Sequence, residues 1–422
     1  MSVKLKFFPE RPYVSKDLMN SKLSIFKSII SNPRTQFFYT FDRSELLVST
    51  QNVYEKFKDR KLFVHIGIGG SSLGPEMMVN ALNKSKTKFL FINNIDPEEL
   101  NSQLQSFDET PIKDALFYFV SKSGGTAELM AALAIITKLL EAQQVKPSEY
   151  KNYFVFATDP KKSELLTLAK QWDIETLEVP SDVGGRFSAL TPVGFLPALF
   201  AGLNLKELLA GAKAAQVDML CEDGSTNPLI ASAEFINELR VKQKITQTVL
   251  MPYSSKLRSF SFWFAQLWGE SLGKKKNRKG ELVNTGLTPI VSYGATDQHS
   301  LVQLFAEGPN DKAYLFVEVE KFKNDFSLKS PLASNNLGKL SGFMLSELMK
   351  AEMEGTIKAL REVSRPVLQI SIEKNDEFHL AYLIVYFESL TALMGDYLMI
   401  DPFDQPGVEA GKIYAFEFLN QL

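Results

Sequence analysis

The sequence predicts an α/β protein of two doubly wound parallel-sheet subdomains followed by a C-terminal helical arm. Three features point there: short apolar runs rich in Val, Ile, Phe and Tyr, longer helix-like stretches between them, and a second round of the same alternation after residue 227. With 45% hydrophobic and 23% charged residues in 422, the chain is excluded from the disordered class and can fill more than one core. A single core beyond about 250 residues is unusual, so two units are expected.

In the first round, Leu62 to Ile68, Phe89 to Ile95, Ala115 to Val120 and Tyr153 to Ala157 are closed by Gly, Asp or Ser, as strands buried on both faces are. Ala127 to Ala142 is dense in Ala, Leu and Glu, with apolar residues three or four apart, and reads as a helix. Glu175 to Val179 is strand-like. The second round runs helix Pro228 to Lys242, strand Thr246 to Met251, helix Leu257 to Leu272, strand Pro289 to Tyr293 and helix Ser300 to Ala306. Strand Ala313 to Val319, helix Leu337 to Leu348, strand Val367 to Ile372 and helix Phe378 to Tyr397 complete it. The expected partition is an N-terminal helical or extended segment at 1–44, α/β subdomains at 45–204 and 205–400, and an arm at 401–422. The joint is expected between 202 and 227, where a Lys/Ala-rich helix ends at Glu222-Asp223-Gly224-Ser225-Thr226-Asn227.

Composition removes several classes. Lys plus Arg is 47 against 49 Asp plus Glu, a net charge of -2, so nothing global attracts nucleic acid or an anionic membrane. Cys221 is alone and histidines stand only at 65, 299 and 379, which excludes an intrachain disulfide and a Cys/His zinc cluster. The first residues lack the apolar run of a secretory signal, and the apolar stretch near the end is interrupted by Glu388 and Asp396. A cytoplasmic protein is expected.

Ligands of open parallel sheets bind beyond the carboxyl ends of strands, where backbone N–H groups and helix N-termini converge. Gly67-Ile68-Gly69-Gly70-Ser71-Ser72 offers a turn that a ligand can approach closely, yet Ser at 72 departs from the dinucleotide fingerprint. Ser121-Lys122-Ser123-Gly124-Gly125-Thr126 packs three hydroxyls and an ammonium into a loop opening a helix, a composition suited to a phosphomonoester. Gly184-Gly185-Arg186-Phe187-Ser188 presents a guanidinium that can stabilise an oxyanion but not act as a base. Glu270 ends a largely apolar helix, where a partly buried carboxylate suits proton abstraction. His299 follows a strand and suits proton shuttling, whereas His65 and His379 read as packing or surface residues. The Pro/Gly punctuation of 401–412 implies a segment docked in one orientation, and the Lys274 to Lys279 run reads as a solvated loop apart from Lys274.

Gly-Gly-Arg-Phe-Ser at 184–188, Glu-Ser-Leu-Gly-Lys at 270–274, Gln-His-Ser at 298–300 and Asp-Gln-Pro-Gly-Val-Glu-Ala-Gly-Lys at 404–412, in this order, resemble the glucose-6-phosphate isomerase family from about Phe63 to Lys412. The resemblance implies two sugar-isomerase (SIS-type) subdomains with the active site between them, acting in glycolysis and gluconeogenesis on glucose 6-phosphate and fructose 6-phosphate. It implies a homodimer with His299 donated across the interface, and no metal, nicotinamide or other cofactor. By the same resemblance Glu270 is the base, Arg186 the enediol-stabilising cation, and His299 and Lys412 the ring-opening groups. Ser121, Lys122, Ser123 and Thr126 match the phosphate loop, Gly70 and Ser71 the first glycine turn, and Gln266 and Gln405 the sugar-contacting glutamines. The family usually carries Thr where this chain has Gly125, a missing hydroxyl worth about 1.5–3 kcal/mol of phosphate binding.

Overall fold

Alternating side chains that must be buried on both faces turn the apolar runs of this chain into sheet interiors. The computed structural model describes residues 3–10, 12–223, 226–329 and 334–421. Its strands are β1 (Val3–Phe8), β2 (Leu62–Ile66), β3 (Lys88–Ile92), β4 (Ala115–Val120), β5 (Phe154–Thr158) and β6 (Glu175–Glu178). They continue with β7 (Gln247–Pro252), β8 (Lys274–Lys276), β9 (Leu282–Thr285), β10 (Thr288–Val291), β11 (Lys312–Lys321) and β12 (Val367–Lys374).

Contacts divide the chain into a first unit, Ile30–Ala215 with Asn375–Val385, and a second unit made of the chain up to Ile29, Gln216–Lys374 and the chain from Tyr386. The first unit holds a parallel sheet in the order β3-β2-β4-β5-β6. Val64, Phe117, Phe119 and Phe156 pack on one face with Leu133 and Ile136 of the helix Ala127–Ala142. Phe63, Leu116, Tyr118 and Val155 pack on the other with Val53, Phe57, Val193 and Leu196. Neighbours in sequence therefore serve opposite cores, which is why the runs are apolar throughout. From β2 the chain goes outward to β3 and returns to β4 on the other side, so a crevice opens beyond the carboxyl ends of β2 and β4.

The second unit's sheet has the order β1-β12-β11-β7-β10. β7, β10, β11 and β12 are parallel, and β1 closes the edge antiparallel to β12 with Val3 opposite Ile372. The helix Glu377–Tyr397 is long and apolar enough to cross a membrane by length and composition, but 94% of its most apolar window is buried inside the protein.

Three local expectations change. The helix expected over 337–348 is two helices, Asn335–Leu340 and Leu345–Glu362, broken where Gly342 takes a φ of 99°. The basic run 274–279 is solvated at Lys275, Lys276, Arg278 and Lys279 and buried at Lys274, as expected, but it is not a loop: it enters the β8–β9 hairpin, whose turn is tied by the Asn277 Oδ1 accepting from the Lys279 and Glu281 amides at 2.9 and 3.0 Å. Arg278 donates from its amide to the Met399 carbonyl and from Nε to the Ile400 carbonyl. The compact units also interleave in sequence. Glu377 accepts from the Asn204 amide at 3.0 Å, and a Cβ on Gly211 would collide with the Phe378 carbonyl, so 375–385 packs with the first unit. The partition 1–44, 45–204, 205–400 and 401–422 stands as our proposal for modules of sequence. Gly224 and Ser225 of the expected joint lie outside the described residues.

Candidate active site

In the first unit, β2 runs into the short 3-10 turn Gly69–Ser71, with Gly69 at a φ of 57°. A Cβ on Gly70 would sit 2.6 Å from the Arg186 amide nitrogen and closer to the Gly185 carbonyl, so only glycine lets the two loops meet. His65, in the middle of β2, supports the turn: its Nε2 lies 2.6 Å from the Ser71 carbonyl oxygen and must donate to it. Burial pushes the His65 pKa down to about 4, so the ring is neutral at neutral pH. The packing role read for it is right, and the support of the turn adds to it.

The sign of the pH effect follows. Between about pH 6.5 and 4 the unfolded chain takes up a proton on His65 and the folded chain does not, so stability falls as the pH falls through that window, by about 3 kcal/mol in all. Denaturant unfolding at pH 7 and pH 4.5 should show a smaller acid loss for His65→Gln than for the unaltered protein; equal losses would contradict this.

β4 leads into Ser121–Thr126, and these residues lie where the crevice opens. The Ser121 Oγ is 2.9 Å from the Thr126 Oγ1 and 3.4 Å from the Ser123 Oγ, and accepts from the Gly124 amide at 3.1 Å. Three hydroxyls thus converge at the start of the helix Ala127–Ala142, where Thr126 makes no side-chain cap. Free N–H groups and hydroxyls at a helix N-terminus form an anion site. Gly124 has a φ of 72°, and a Cβ on Gly125 would lie 3.0 Å from the Glu164 Oε2. The Lys122 ammonium points elsewhere, donating to the carbonyls of Ser181 and Val183 at 2.8 and 2.9 Å.

Arg186 lies in the 3-10 turn Gly185–Phe187 and is buried, its guanidinium 5.6 Å from the centre of the Phe187 ring. The preceding Asp182 forms a two-armed ion pair with Arg43, which holds the Arg43 pKa above the ordinary arginine value. The structure therefore brings together Gly70, Ser71, the hydroxyls of 121–126 and Arg186 within the first unit.

In the second unit Gln266 and Glu270 lie on the helix Arg258–Leu272, four residues apart and so on one face. Both are half-buried, and the Gln266 Oε1 is a buried acceptor with no hydrogen-bond partner among the described residues. The buried Lys274 ammonium donates to the carbonyls of Glu270 and Ser271 at 2.6 and 2.9 Å, capping the helix end. It also lies 3.6 Å from the Asp404 carboxylate.

The helix runs antiparallel to β10: Ser261 bonds to the Ser292 carbonyl just past the strand's end, while a Cβ on Gly269 would lie 3.5 Å from Pro289 at its start. Glu270 therefore stands at the amino edge of the sheet, against the expectation that all the chemistry collects beyond the carboxyl ends. His299 ends the 3-10 turn Thr296–His299 past the carboxyl end of β10 and is exposed. The Asp297 carboxylate braces that turn, accepting from the Tyr293 amide and the Ser292 and Ser300 hydroxyls. Gln405 precedes the turn Pro406–Val408, and Lys412, on the helix Glu409–Leu419, is exposed and donates to the Glu409 carboxylate at 2.9 Å.

A doubly wound α/β fold with a hydroxyl-lined helix N-terminus at its switch point is suited to an anionic ligand such as a phosphate group. The chain belongs to the phosphoglucose isomerase family, whose sequence profile matches residues 42–422. It is 38% identical over 390 residues to the glucose-6-phosphate isomerase of Carboxydothermus hydrogenoformans, covering 90% of this chain and 82% of the relative. The crystal structure of a hypothetical protein from Thermus thermophilus superposes with a TM-score of 0.88 at 33% identity, covering 96% of this chain and 95% of the other. A glucose-6-phosphate isomerase from Chlamydia trachomatis shares the fold at a TM-score of 0.83 and 21% identity, covering 99% of this chain and 88% of the other.

Proposed function

We propose that this chain is an aldose–ketose isomerase that interconverts glucose 6-phosphate and fructose 6-phosphate through a cis-enediol, in glycolysis and gluconeogenesis. The observation that carries the reading is the family match over residues 42–422, which spans every candidate residue from Gly70 to Lys412. A coupled assay of fructose 6-phosphate turnover by the purified protein tests it, and absence of turnover would overturn it.

In this reading Ser121, Ser123, Thr126 and the loop's N–H groups hold the phosphate, with Gly70 and Ser71 beside them. Charge-assisted hydrogen bonds of about 1.5–3 kcal/mol each suffice for a dianion although the net charge of the chain is -2. His299 gives a proton to the ring oxygen as its bond to C1 breaks and the C1 hydroxyl releases its proton to solvent to become the carbonyl, with Lys412 assisting opening. Glu270 then removes the proton from C2, the carbonyl electrons move onto the C1 oxygen, and Arg186 stabilises the enediolate. The C2 hydroxyl proton passes to the C1 oxygen, and delivery to C1 of the proton held on Glu270, part of it exchanged with solvent, as the C2 oxygen becomes the carbonyl completes the ketose, so one base serves both halves. Gln266 and Gln405 meet sugar hydroxyls; the unpartnered Gln266 Oε1 supports that role.

The enzyme acts as a homodimer in the cytoplasm, His299 coming from the partner. Two observations support the dimer: Glu270 and His299 of one chain stand at opposite edges of the same sheet, and Ile413, Tyr414, Phe416 and Phe418 on the arm are each more than half exposed, at 59%, 57%, 54% and 67%. Inactive Glu270→Gln and His299→Ala proteins, unfolded together and refolded, should then recover about a quarter of full activity, since half the dimers are mixed and each carries one intact site. No recovery would place both groups in one chain's site.

A further inference from the structure

Lys122 matches a phosphate-loop position, yet its ammonium does not turn toward the hydroxyls of its own loop. It reaches a segment about sixty residues further along the chain, where the Ser181 and Val183 carbonyls accept its hydrogen bonds at 2.8 and 2.9 Å. The intervening carbonyl of Asp182 accepts from the Gln36 amide at 2.9 Å, and the Asp182 carboxylate is held by Arg43. Each of three successive carbonyls is thus tied, two of them by one side chain. The far end of the segment, Gly185 and Arg186, rests against Gly70. At the near end Lys122 has a fixed root, because the Thr158 Oγ1 donates to the Ser121 carbonyl at 2.7 Å and the Asp159 amide to the Lys122 carbonyl at 3.2 Å.

We propose that Lys122 is a positioning residue, a strut that sets the Arg186 turn at a fixed distance from the phosphate loop, and that its ammonium is not a ligand of the sugar phosphate. The proposal rests on the isomerase reading above and concerns how its two ends are kept in register. A guanidinium that must meet a developing enediolate works only if it is held in place before the reaction, and a shift of about 1 Å can cost about a hundredfold in rate. Carbonyls suit this task better than a carboxylate would, since they stabilise the ammonium without cancelling its charge. Burial lowers the Lys122 pKa below the ordinary lysine value, against the opposing pull of the Asp159 and Asp182 carboxylates.

The test is the steady-state kinetics of Lys122→Met, which keeps the stem and removes the donors, with inorganic phosphate as a competing ligand. We expect kcat to fall by about 10- to 100-fold while KM and the inhibition constant of phosphate stay unchanged. Arg186→Ala with Lys122→Met should be no slower than Arg186→Ala alone, because a group acting only through Arg186 has nothing left to position. A rise in KM and in the phosphate inhibition constant with kcat preserved would make Lys122 a phosphate ligand and overturn the proposal, as would an unchanged enzyme. If thermal unfolding shows that Lys122→Met does not fold, Lys122→Gln, a shorter polar side chain that cannot span to both carbonyls, decides: a loss in kcat with phosphate inhibition intact supports the strut, and the reverse overturns it. Turnover by the unaltered protein is measured first, so an inactive parent would sink the isomerase reading, whereas an active parent with an unimpaired Lys122→Met sinks only the strut.

Discussion

Glu270→Gln should lose about 10²- to 10⁴-fold in kcat for fructose 6-phosphate while KM and the thermal midpoint stay close to those of the parent. The amide has nearly the size and shape of the carboxylate and removes only its capacity to take a proton. The helix end is also held by Lys274, which bonds to the backbone carbonyls of Glu270 and Ser271. The proposed phosphate contacts lie on other residues, Ser121, Ser123 and Thr126, so inorganic phosphate should inhibit variant and parent alike. A variant that keeps its turnover would remove Glu270 from the chemistry. One that fails through a raised KM alone would make it a binding group.

Arg186→Ala should lose about 10²- to 10³-fold in kcat, the range seen when one oxyanion-stabilising group is removed. Arg186 is only 4% exposed, so collapse of its turn is a second route to a loss. The turn has independent supports, however: Lys122 on the Ser181 and Val183 carbonyls, Arg43 on Asp182, and the Phe187 ring 5.0 Å from Phe37. Retained phosphate inhibition with a lost kcat separates the two causes. Arg186→Lys should recover little, because an ammonium keeps the charge but not the planar fork that spans two oxygens. Full activity in Arg186→Lys would mean that a point charge is enough and would remove the geometric part of the role.

The elements that could be read from the chain are those whose reasons are local. β2, β4 and β5 are legible because both faces are buried, and the loop 121–126 because hydroxyls and glycines opening a helix have few other uses. What escaped depends on distant partners. β1 pairs with β12, some 360 residues away, and six residues with a period-two pattern do not announce which edge they will join. Lys122 reads as a phosphate ligand by its company in sequence, while its hydrogen bonds go to a segment brought near only by folding. Glu270 lies at the amino edge because its helix runs back along β10, a direction that a motif in isolation cannot show. Two other departures did leave local traces: Asn277 within the basic run and Gly280 just after it are turn residues, and Gly342 breaks the helix expected through it. A lone histidine amid the apolar residues of β2 was the trace of the support His65 gives to the Ser71 turn.

The central claim is that one carboxylate moves a proton between adjacent carbons of a phosphorylated hexose. Its most direct test is isomerisation in deuterium oxide, followed by proton NMR of the recovered sugar phosphates. The account predicts deuterium entering C2 of glucose 6-phosphate and C1 of fructose 6-phosphate with the parent protein, and none with Glu270→Gln over the same time. Turnover without any deuterium entering, or incorporation by Glu270→Gln at the parent's rate, would contradict it.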